Sequence, residues 1–327
     1  MTQDATLRGT ILRRDAGGTF HIVDRGDHRV LTVAGRDYRT YYSERVLRLL
    51  IERKGENRAA LYLDFKRTRG ELFLGPLFTW LRARGAAKLT LLEVGCSFGH
   101  MTEYVADQPE VASVYGFDTD PAFVAITRAK VEELGLRSVR EVQQLSNEQT
   151  CTLPYPDAAF DVVLVAGVIE HLPARTRRRQ VDEYYRVLAP GGHIAILDTP
   201  NRWFPLETHS VGLPLVQFFP APVAYRYARL LRRRAFGDVP YAEFVADGTG
   251  WRNATLAECL PSRGADRVQD VTEAAGYGWR FFRNTSRSHV RRALLPLFGV
   301  TVAALRAAGQ SPSLCLPYLN LLFQWPR

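Results

Sequence analysis

The spacing of apolar residues changes along the chain from an alternating pattern to helical and buried-strand patterns. Residues 7–34 alternate between apolar and polar positions in three segments, which predicts a three-stranded meander. From Ser43, the predicted N-cap, apolar residues recur at helical spacing as far as Gly55. A second helix is predicted over 71–84. Because proline lacks an amide proton, Pro76 is expected to break or restart that helix.

The middle of the chain alternates between apolar strands and helical segments, which is typical of an α/β domain with a parallel sheet. A buried strand at 90–94 runs into a glycine turn and then a helix. A basic run at 175–180 is expected to project into solvent, because positive charge at a helix start opposes the helix dipole. Further strands are predicted over 111–117, 138–144, 160–165, 193–197, 278–283 and 318–325, with helices over 121–134, 254–260 (capped by Asn253) and 293–305.

The turn after the strand at 90–94 has glycines at a spacing that is typical of nucleotide-binding turns. Gly95 can adopt a positive φ, and Gly99 lets the backbone approach a ligand closely. A dinucleotide fingerprint needs glycine at the first, third and sixth positions, but the third and sixth are Ser97 and His100. The chain therefore does not carry the dinucleotide pattern.

An acidic residue follows the next predicted strand at the distance where nucleotide-binding α/β folds bind a ribose. Asp118 lies about 20 positions beyond the glycine turn, and a carboxylate can accept hydrogen bonds from both ribose hydroxyls. The following Asp120-Pro121 pair also suits a helix start. We interpret Asp118 as a ribose-binding residue.

Four segments in the right order resemble class I S-adenosylmethionine-dependent methyltransferases, in particular the small-molecule "type 11" group related to ubiquinone biosynthesis. They are Glu93-x-Gly95-x-Ser97-x-Gly99, Leu153-Pro-Tyr-Pro-Asp157 with Phe160-Asp161, Glu170-His-Leu172, and Val187-Leu-Ala-Pro-Gly-Gly192. The family normally has glycine where this chain has Ser97, so a less tolerant backbone is expected there. The matching segments cover residues 71–201.

The resemblance implies a fold, a methyl donor and a set of donor-binding residues. The implied fold is a doubly wound, Rossmann-like sheet of seven mostly parallel strands in the order 3-2-1-4-5-7-6. Residues 1–70 are expected to form a β/α extension, 71–201 the donor-binding core, 202–265 a substrate lid, and 266–327 the strands that complete the sheet. Residues expected to bind S-adenosylmethionine are Glu93, Gly95, Cys96, Ser97, Gly99, Asp118, Thr119, Ala166 and, at the adenine, Glu148 or Gln149.

The composition of the chain bears on its partners, its cysteines and its location, and says little about the reaction. The 327 residues carry a formal charge of +9, mostly from arginine, which suits an anionic partner of several kinds. The four cysteines have no paired spacing, which argues against disulfides and a zinc site. No apolar run is long enough to span a membrane and no leader pattern is present, so a cytoplasmic location is expected.

Methyl transfer is an in-line displacement that depends on alignment, and an oxygen acceptor also has to lose a proton. His171 follows the fourth strand of the core, at the edge where open α/β sheets bind ligands, and is the first candidate for the base. Glu207 and His209 follow the fifth strand and are second candidates. These two could be metal ligands, but no third ligand is evident and no metal is predicted.

The acceptor is expected to be an oxygen of a small molecule, such as a sugar, a natural product or a quinone-like phenol. Residues 166–170 lack the polar-Pro-Pro-aromatic motif of adenine methyltransferases, and the chain has no Pro-Cys pair. Nucleic acid is therefore not the expected partner. Apolar and arginine-rich segments in 202–265 suit a lipid-linked or anionic substrate and contact with a membrane surface. The alternatives are an RNA or protein methyltransferase and a non-catalytic binding protein.

Overall fold

The computed structural model describes residues 9–13, 19–26, 28–33, 36–63, 65–286 and 288–326. These residues divide into two compact units. The first unit contains the described residues up to Phe78 together with Cys96–Leu145, and the second contains Thr79–Gly95 and the described residues from Ser146 onwards. Among the described residues, no helix combines the length and the apolar character needed to cross a bilayer.

Strands and helices alternate through the middle of the chain. The strands are β1 (Gly9–Arg13), β2 (Thr19–Asp24), β3 (Arg29–Val33), β4 (Arg36–Thr40), β5 (Leu89–Val94), β6 (Val111–Asp118), β7 (Val139–Gln144), β8 (Phe160–Ala166), β9 (Leu188–Pro200), β10 (Gln269–Asp270) and β11 (Tyr318–Gln324). The helices are α1 (Glu44–Lys54), α2 (Glu56–Tyr62), α3 (Glu71–Arg82), α4 (His100–Ala106), α5 (Pro121–Glu133), α6 (Arg177–Arg186), α7 (Ala221–Leu231), α8 (Arg233–Phe236), α9 (Tyr241–Phe244), α10 (Gly278–Thr285) and α11 (His289–Ala307).

The main sheet has seven strands in the order β10-β11-β9-β8-β5-β6-β7. Counted from β5, this is the order 3-2-1-4-5-7-6, so the predicted Rossmann-like sheet is confirmed. The pairs β5–β8, β8–β9 and β6–β7 are parallel, whereas β11 is antiparallel to both β9 and β10. The interior strands are apolar on both faces; in β8, Val162, Val163, Leu164 and Val165 are fully buried.

The sixth strand is not where the sequence pattern predicted it. Residues 278–283, predicted as a strand, belong to helix α10, and the edge strand is the two-residue β10. In α10, Phe281 and Phe282 are buried and the rings of Trp279 and Phe282 lie 6.0 Å apart, so the aromatic residues pack at helical spacing. A short run of aromatic residues fits the spacing of a helix as well as that of a strand, so the sequence pattern predicted the wrong element here.

The N-terminal part of the first unit contains one more strand and one more helix than predicted. The meander has a fourth strand, β4, and all its neighbouring strands pair antiparallel. Ser43 caps α1 as expected, with its hydroxyl accepting from the Val46 amide at 3.2 Å. α2 follows directly after α1, in a segment that the pattern left without an element. The expected break at Pro76 is wrong, because α3 continues through it.

Two local predictions in the second unit also fail. Asn253 is buried with φ +55 and does not cap a helix; Thr255 instead caps a short 3₁₀ turn over Leu256–Cys259 with a capping box. The basic run at 175–180 is only partly solvated, because Arg177 is buried. Between β9 and β10, α7 and the segments around it pack on a small apolar core of their own, formed by Val211, Leu213, Val216, Ala224, Ala228, Phe244 and Trp251.

Candidate active site

The glycine turn at 95–99 has a backbone that side chains tolerate poorly. Gly95 and Gly99 have φ of +66° and +74°, and Ser97 between them has φ +51°. A Cβ at Gly95 would lie 2.6 Å from Val168 Cγ2, and one at Gly99 would lie 2.9 Å from Thr127 Cγ2. The two glycines are therefore required by both conformation and space, and Ser97 adopts a left-handed conformation that glycine would adopt at no cost.

Asp118 lies directly against this turn, in the first unit. Its Oδ2 accepts a hydrogen bond from the Ser97 amide at 2.8 Å, and its Oδ1 accepts from the Asp120 amide at 2.9 Å. The Cys96 amide donates to the Phe117 carbonyl at 2.9 Å, which joins the start of the turn to the end of β6. Burial raises the pKa of the Asp118 carboxyl, and the backbone hydrogen bonds oppose that shift.

The other predicted donor-binding residues have varied environments. Glu93 and Cys96 are buried, whereas Thr119 at the end of β6 is exposed. Glu148 and Gln149 are exposed, and the Gln149 side chain accepts from the Ser146 amide at 2.8 Å. Ala166 ends β8 and is half-buried. Their contacts with a donor stay predictions.

In the second unit, three neighbouring strands bring their carboxyl ends to one edge. Val94 of β5 is in register with Val165 of β8, and Ala166 is in register with Leu197 of β9. Residues that follow these strands therefore lie at the edge where open α/β sheets bind ligands. The close approach of Gly95 to Val168 places the start of the glycine turn next to the segment that carries Glu170 and His171.

His171 and His209, both predicted as catalytic candidates, meet at this edge. Their Nε2 atoms lie 3.1 Å apart, and His171 Nδ1 lies 2.6 Å from the Gly248 carbonyl oxygen. Since a carbonyl only accepts, Nδ1 of His171 carries a proton, and in the neutral ring Nε2 has a lone pair. Burial lowers the pKa of His171, which favours this neutral form.

Glu170 completes this cluster and was not predicted as a site residue, although its motif was noted. The Glu170 side chain is fully buried, and its Oε1 lies 3.9 Å from His171 Nε2. Burial raises the pKa of the Glu170 carboxyl to about 8. A carboxyl group and two imidazoles thus share one small region of the second unit.

Glu207 has a different position from the two histidines. Its side chain is buried, and its two carboxylate oxygens accept hydrogen bonds from four successive backbone amides, of His209, Ser210, Val211 and Gly212, at 2.6–2.9 Å. These bonds order the loop that carries His209. The structure thus shows Glu207 as a loop-ordering residue, and a direct part for it in proton transfer stays a prediction.

Arg177 is a further residue near the cluster that pattern reasoning missed. Its guanidinium donates to the carbonyls of Glu170 and Leu172 at 3.2 and 3.1 Å and pairs with Glu258 at 2.9 Å. These bonds fix the backbone on both sides of His171. The sequence contained one signal for this role. Positive charge is unfavourable at the start of a helix, so an arginine there indicates a specific partner.

Comparison with known proteins agrees with this geometry. Residues 92–196 match the family model described as a methyltransferase domain. A probable S-adenosylmethionine-dependent methyltransferase of Mycolicibacterium smegmatis is 37% identical over 120 residues, which are 37% of this chain and 41% of that protein. A demethylmenaquinone methyltransferase of Thermus thermophilus is 34% identical over 110 residues, 34% of this chain and 47% of that protein.

The solved structures that resemble this chain include a methyltransferase dependent on S-adenosylmethionine from Aquifex aeolicus. It is 25% identical with a TM-score of 0.35, and the likeness covers 50% of this chain and 82% of that one. The chain spans less than half the length of the two curated relatives that it matches. Residues 92–196 belong to the class I methyltransferases, the family whose methyl donor is S-adenosylmethionine.

Proposed function

We propose that the protein transfers a methyl group from S-adenosylmethionine to a hydroxyl oxygen of a small molecule. The observation that carries this proposal is the position of His171. It follows β8 at the carboxyl edge of the sheet, with an unprotonated Nε2 and a proton on Nδ1 held by the Gly248 carbonyl. An oxygen acceptor loses a proton as it is methylated, and a neutral imidazole can take it.

The donor is proposed to lie along the glycine turn with its ribose at Asp118. Each carboxylate oxygen of Asp118 accepts one backbone amide, and a carboxylate has about four acceptor positions, so both oxygens can still accept a ribose hydroxyl. The turn has no Cβ at Gly95 or Gly99, which suits close approach of a ligand. When bound, S-adenosylmethionine supplies the electrophilic methyl group.

The acceptor side is proposed to work chiefly by position. The carbon–sulfur bond breaks as the oxygen–carbon bond forms, and the hydroxyl proton leaves toward Nε2 of His171. Arg177 and Glu207 act as positioning residues, because each holds the backbone of a segment that carries one histidine. Alignment in a water-poor site accounts for most of the rate enhancement in such reactions.

A small organic acceptor is favoured by the names of the relatives. Several curated relatives, including those of Thermus thermophilus and Listeria welshimeri, are named demethylmenaquinone methyltransferases. These names support a quinone-like small molecule as the acceptor, and the choice of a hydroxyl oxygen on it rests on His171 alone.

The acceptor class can be tested by mass spectrometry. The protein is incubated with a metabolite extract and S-adenosylmethionine labelled in its methyl group. We expect labelled methyl ethers to form with wild-type protein and to fall at least about a hundredfold with His171→Ala, the lower end of the range for loss of a general base. Labelled RNA or protein with no labelled small molecule would overturn the proposal.

Donor binding is tested separately by calorimetry with S-adenosylmethionine. Asp118→Ala is expected to weaken binding by about 1–3 kcal/mol, the scale for losing a hydrogen-bonded charged group. His289→Ala, at an exposed histidine outside the site, serves as the control and should bind like wild type. If Asp118→Ala and wild type bind equally, Asp118 does not hold the ribose.

A further inference from the structure

Glu170, His171 and His209 together have the composition of a metal site. One ligand atom from each of the three residues can be chosen so that all lie within 4.8 Å of one another. The two imidazole Nε2 atoms are 3.1 Å apart, and Glu170 Oε1 lies 3.9 Å from His171 Nε2. Ligands that share one zinc ion about 2.1 Å away are about 3.4 Å apart in tetrahedral geometry, so these two separations are close to the required value. The third pair, Glu170 and His209, lies within 4.8 Å, and a small side-chain rotation would bring it to that value.

Glu170 supplies a second and independent observation. Its side chain is fully buried, and neither carboxylate oxygen has a hydrogen-bond partner among the residues that the structure describes. A buried carboxyl group without partners is costly, and natural proteins rarely retain one without a compensating ligand. The unpartnered carboxyl lies beside the two imidazoles, so a cation bound among them would satisfy it.

The surroundings of the histidines are those of metal ligands. The Nδ1 proton of His171 is held by the Gly248 carbonyl at 2.6 Å, which leaves Nε2 as the ligating atom and orients the ring. The loop of His209 is ordered by the Glu207 carboxylate. Gly250 is close to both rings: a Cβ there would lie 3.1 Å from His171 Cε1 and 3.1 Å from His209 Cδ2.

We propose that Glu170, His171 and His209 bind one divalent transition-metal ion, with zinc(II) as the best fit to two imidazoles and one carboxylate. Three protein ligands leave a fourth tetrahedral position open, which is the arrangement of catalytic rather than structural zinc sites. Imidazole ligands favour zinc, cobalt or iron over magnesium and calcium. Glu207 is not a ligand, because both of its oxygens are bound to backbone amides.

The use of the metal rests on the proposed function. A hydroxyl acceptor that binds the open position loses its proton more readily, because the cation stabilises the alkoxide. The proton then passes to solvent, and the oxygen attacks the methyl group as the carbon–sulfur bond breaks. This route replaces the proton transfer to His171 described above, because Nε2 of His171 is a ligand when the metal is bound and has no lone pair for a proton. His171 then contributes to the reaction by holding the ion.

Metal binding is tested without any methyl acceptor. The full chain is treated with chelator, dialysed, and titrated with zinc(II) alone in a calorimeter and with cobalt(II) in an absorption spectrometer. We expect one equivalent of each to bind and cobalt to give visible ligand-field bands. His209→Ala and Glu170→Gln are each expected to lower affinity about tenfold or more, since even loss of an outer-shell partner costs 10–100-fold.

Two controls separate a specific site from loss of the fold. His289→Ala, an exposed histidine outside the cluster, should bind metal like wild type. Gly250→Ala should weaken metal binding and change the cobalt spectrum, and the thermal unfolding of every variant is measured alongside. Absence of stoichiometric binding in wild type, or equal binding in wild type and in His209→Ala, would overturn the metal site.

Failure of the metal site and failure of the proposed function give different results. If metal binds at these residues but no methyl ether forms with any hydroxyl compound, the site stands and the function fails. If methyl ethers form equally with and without chelator and no metal binds, the function stands and the site fails.

A second inference comes from a different feature, the apolar outer face of α11. Ala293, Leu294, Pro296, Leu297, Val300 and Ala304 lie on one side of this helix and are all exposed. Leu297 and Val300 have 65% and 69% of their surface in solvent. The opposite side packs inward, where the ring centroid of Phe298 lies 6.1 Å from that of Phe204 and 5.0 Å from that of Phe282. Such a face usually has a partner.

The loop beside α11 extends this apolar surface. Phe204, which stacks on Phe298, follows Trp203, and the Trp203 ring lies 6.1 Å from Phe218. Four residues of this loop are exposed large hydrophobic groups: Trp203, Leu206, Leu215 and Phe218. We call α11 and these four residues the apolar face.

Arginines outnumber acidic residues in the segments that form the apolar face and follow it. Residues 289–307 contain three arginines and no acidic residue, and residues 202–237 contain six arginines and one acidic residue, the buried Glu207. Two of these arginines are paired with acidic residues from elsewhere in the chain, Arg306 with Glu273 and Arg202 with Glu258. Apolar side chains flanked by arginine, with an exposed tryptophan, suit a bilayer interface that carries negative headgroups. A second copy of the chain is a poorer partner, because a two-fold interface would place arginines against arginines.

We infer that the apolar face docks on an anionic lipid bilayer. Full-length protein is sedimented with vesicles of phosphatidylglycerol and phosphatidylcholine and with vesicles of phosphatidylcholine alone. We expect binding to the anionic vesicles that falls with added salt. The double variant Leu297→Glu/Val300→Glu is expected to lose at least about tenfold in binding, because two apolar side chains that enter the bilayer are replaced by charged ones.

Leu72→Glu is the matched control, because Leu72 is an exposed leucine on α3 and no part of the apolar face. It should bind vesicles like wild type. Sedimentation velocity without lipid tests the other possible occupant, a second copy of the chain. Equal vesicle binding by wild type and the double variant, or a stable dimer that the double variant disrupts, would overturn the bilayer assignment.

Discussion

Ser97 is where the methyltransferase family normally has glycine, and its backbone conformation is one that glycine adopts more easily. Its φ of +51° is in the left-handed region, where glycine has no steric penalty. We expect Ser97→Gly to raise the free energy of unfolding by about 0.5–1 kcal/mol, the relief of strain less the greater entropy of the unfolded chain. Urea denaturation of both proteins measures the difference.

A control for this substitution is available nearby. Thr119 is exposed and is absent from the residues with positive φ, so Thr119→Gly should lower stability or leave it unchanged. If Ser97→Gly also lowers stability, its hydroxyl makes a contribution larger than the backbone strain.

His193 is expected to make stability depend on pH. Trp80 Nε1 donates to its Nε2 at 3.2 Å, and burial lowers the pKa of His193 to about 4. The unfolded chain takes up this proton at about pH 6.5, so it binds more protons than the folded chain between about pH 6.5 and 4. Stability should fall by roughly 2–3 kcal/mol as the pH is lowered through that window.

The measurement compares wild type with His193→Gln, which keeps an acceptor for Trp80 but does not titrate. As the pH is lowered toward 4, the unfolding free energy of wild type should fall relative to that of His193→Gln, so that any advantage of wild type shrinks or reverses. His289→Gln, at an exposed histidine, should follow the wild-type curve. Parallel curves for wild type and His193→Gln would refute the assignment.

Individual site residues were predictable from sequence where their role is local. Gly95 is confirmed as a position with positive φ, because a tight turn after a strand leaves few alternatives. Gly99, predicted as a point of close backbone approach, also has a positive φ. Asp118 lies against the turn as expected, although its contact with a ribose stays a prediction. Glu170 and Arg177 were missed as site residues because their roles depend on partners about 40 to 80 positions away, such as His209 and Glu258, which no local pattern shows.

At the level of elements, a buried ion pair joins two helices of the first unit. Lys130 of α5 donates to Glu103 of α4 at 2.7 Å and to the Tyr42 hydroxyl at 2.9 Å, and Tyr42 donates to Glu103 at 2.8 Å. Both charged side chains are almost fully buried, and burial lowers the pKa of Lys130. Removing one charge leaves the other buried and unpaired.

We therefore expect Lys130→Met and Glu103→Leu each to cost about 3–5 kcal/mol of unfolding free energy. The double variant should cost clearly less than the sum, because no lone charge remains. Tyr42→Phe should cost about 1 kcal/mol, the scale of a neutral hydrogen bond. Urea denaturation of the four proteins and wild type gives the coupling energy; additive costs would show that the two charges do not interact.

Helices and strands were predicted correctly where the apolar residues keep one spacing over the whole element, and wrongly in short segments. The strands β5, β6 and β8 and the helix α5 were found because their apolar runs and caps agree. The two-residue β10 cannot have a period at all. Helix α10 was taken for a strand because closely spaced aromatic residues suit either element, and only packing decides between them.

On the scale of the whole molecule, residues 92–196 match a methyltransferase domain, and the sequence could not name the roles of the segments on either side. The order of the seven strands was predictable through the family resemblance, and the match over 92–196 confirms the family. The acceptor was not predictable, because residues 202–265 have no motif and their shape depends on their own small core. The cytoplasmic location stays a prediction.

The four cysteines give a test of the whole fold. None of the four forms a disulfide; Cys96, Cys151 and Cys259 are buried, and Cys315 is partly accessible. Burial also raises the pKa of the Cys259 and Cys315 thiols, which lowers their thiolate fraction. A thiol reagent should therefore label at most one cysteine, slowly, in native protein and four in denaturant. Rapid labelling of two or more native thiols would show that the described packing is wrong.

The position of β11 has a consequence for biosynthesis. β11 lies between β9 and β10, yet more than a hundred residues separate it from β9 in the chain. While the ribosome makes those residues, the apolar β9 has an open edge that can pair with another nascent chain. Sheet closure must also await a contact of very long sequence separation, which slows folding. Expression at low temperature or with chaperones should therefore raise the yield of native protein.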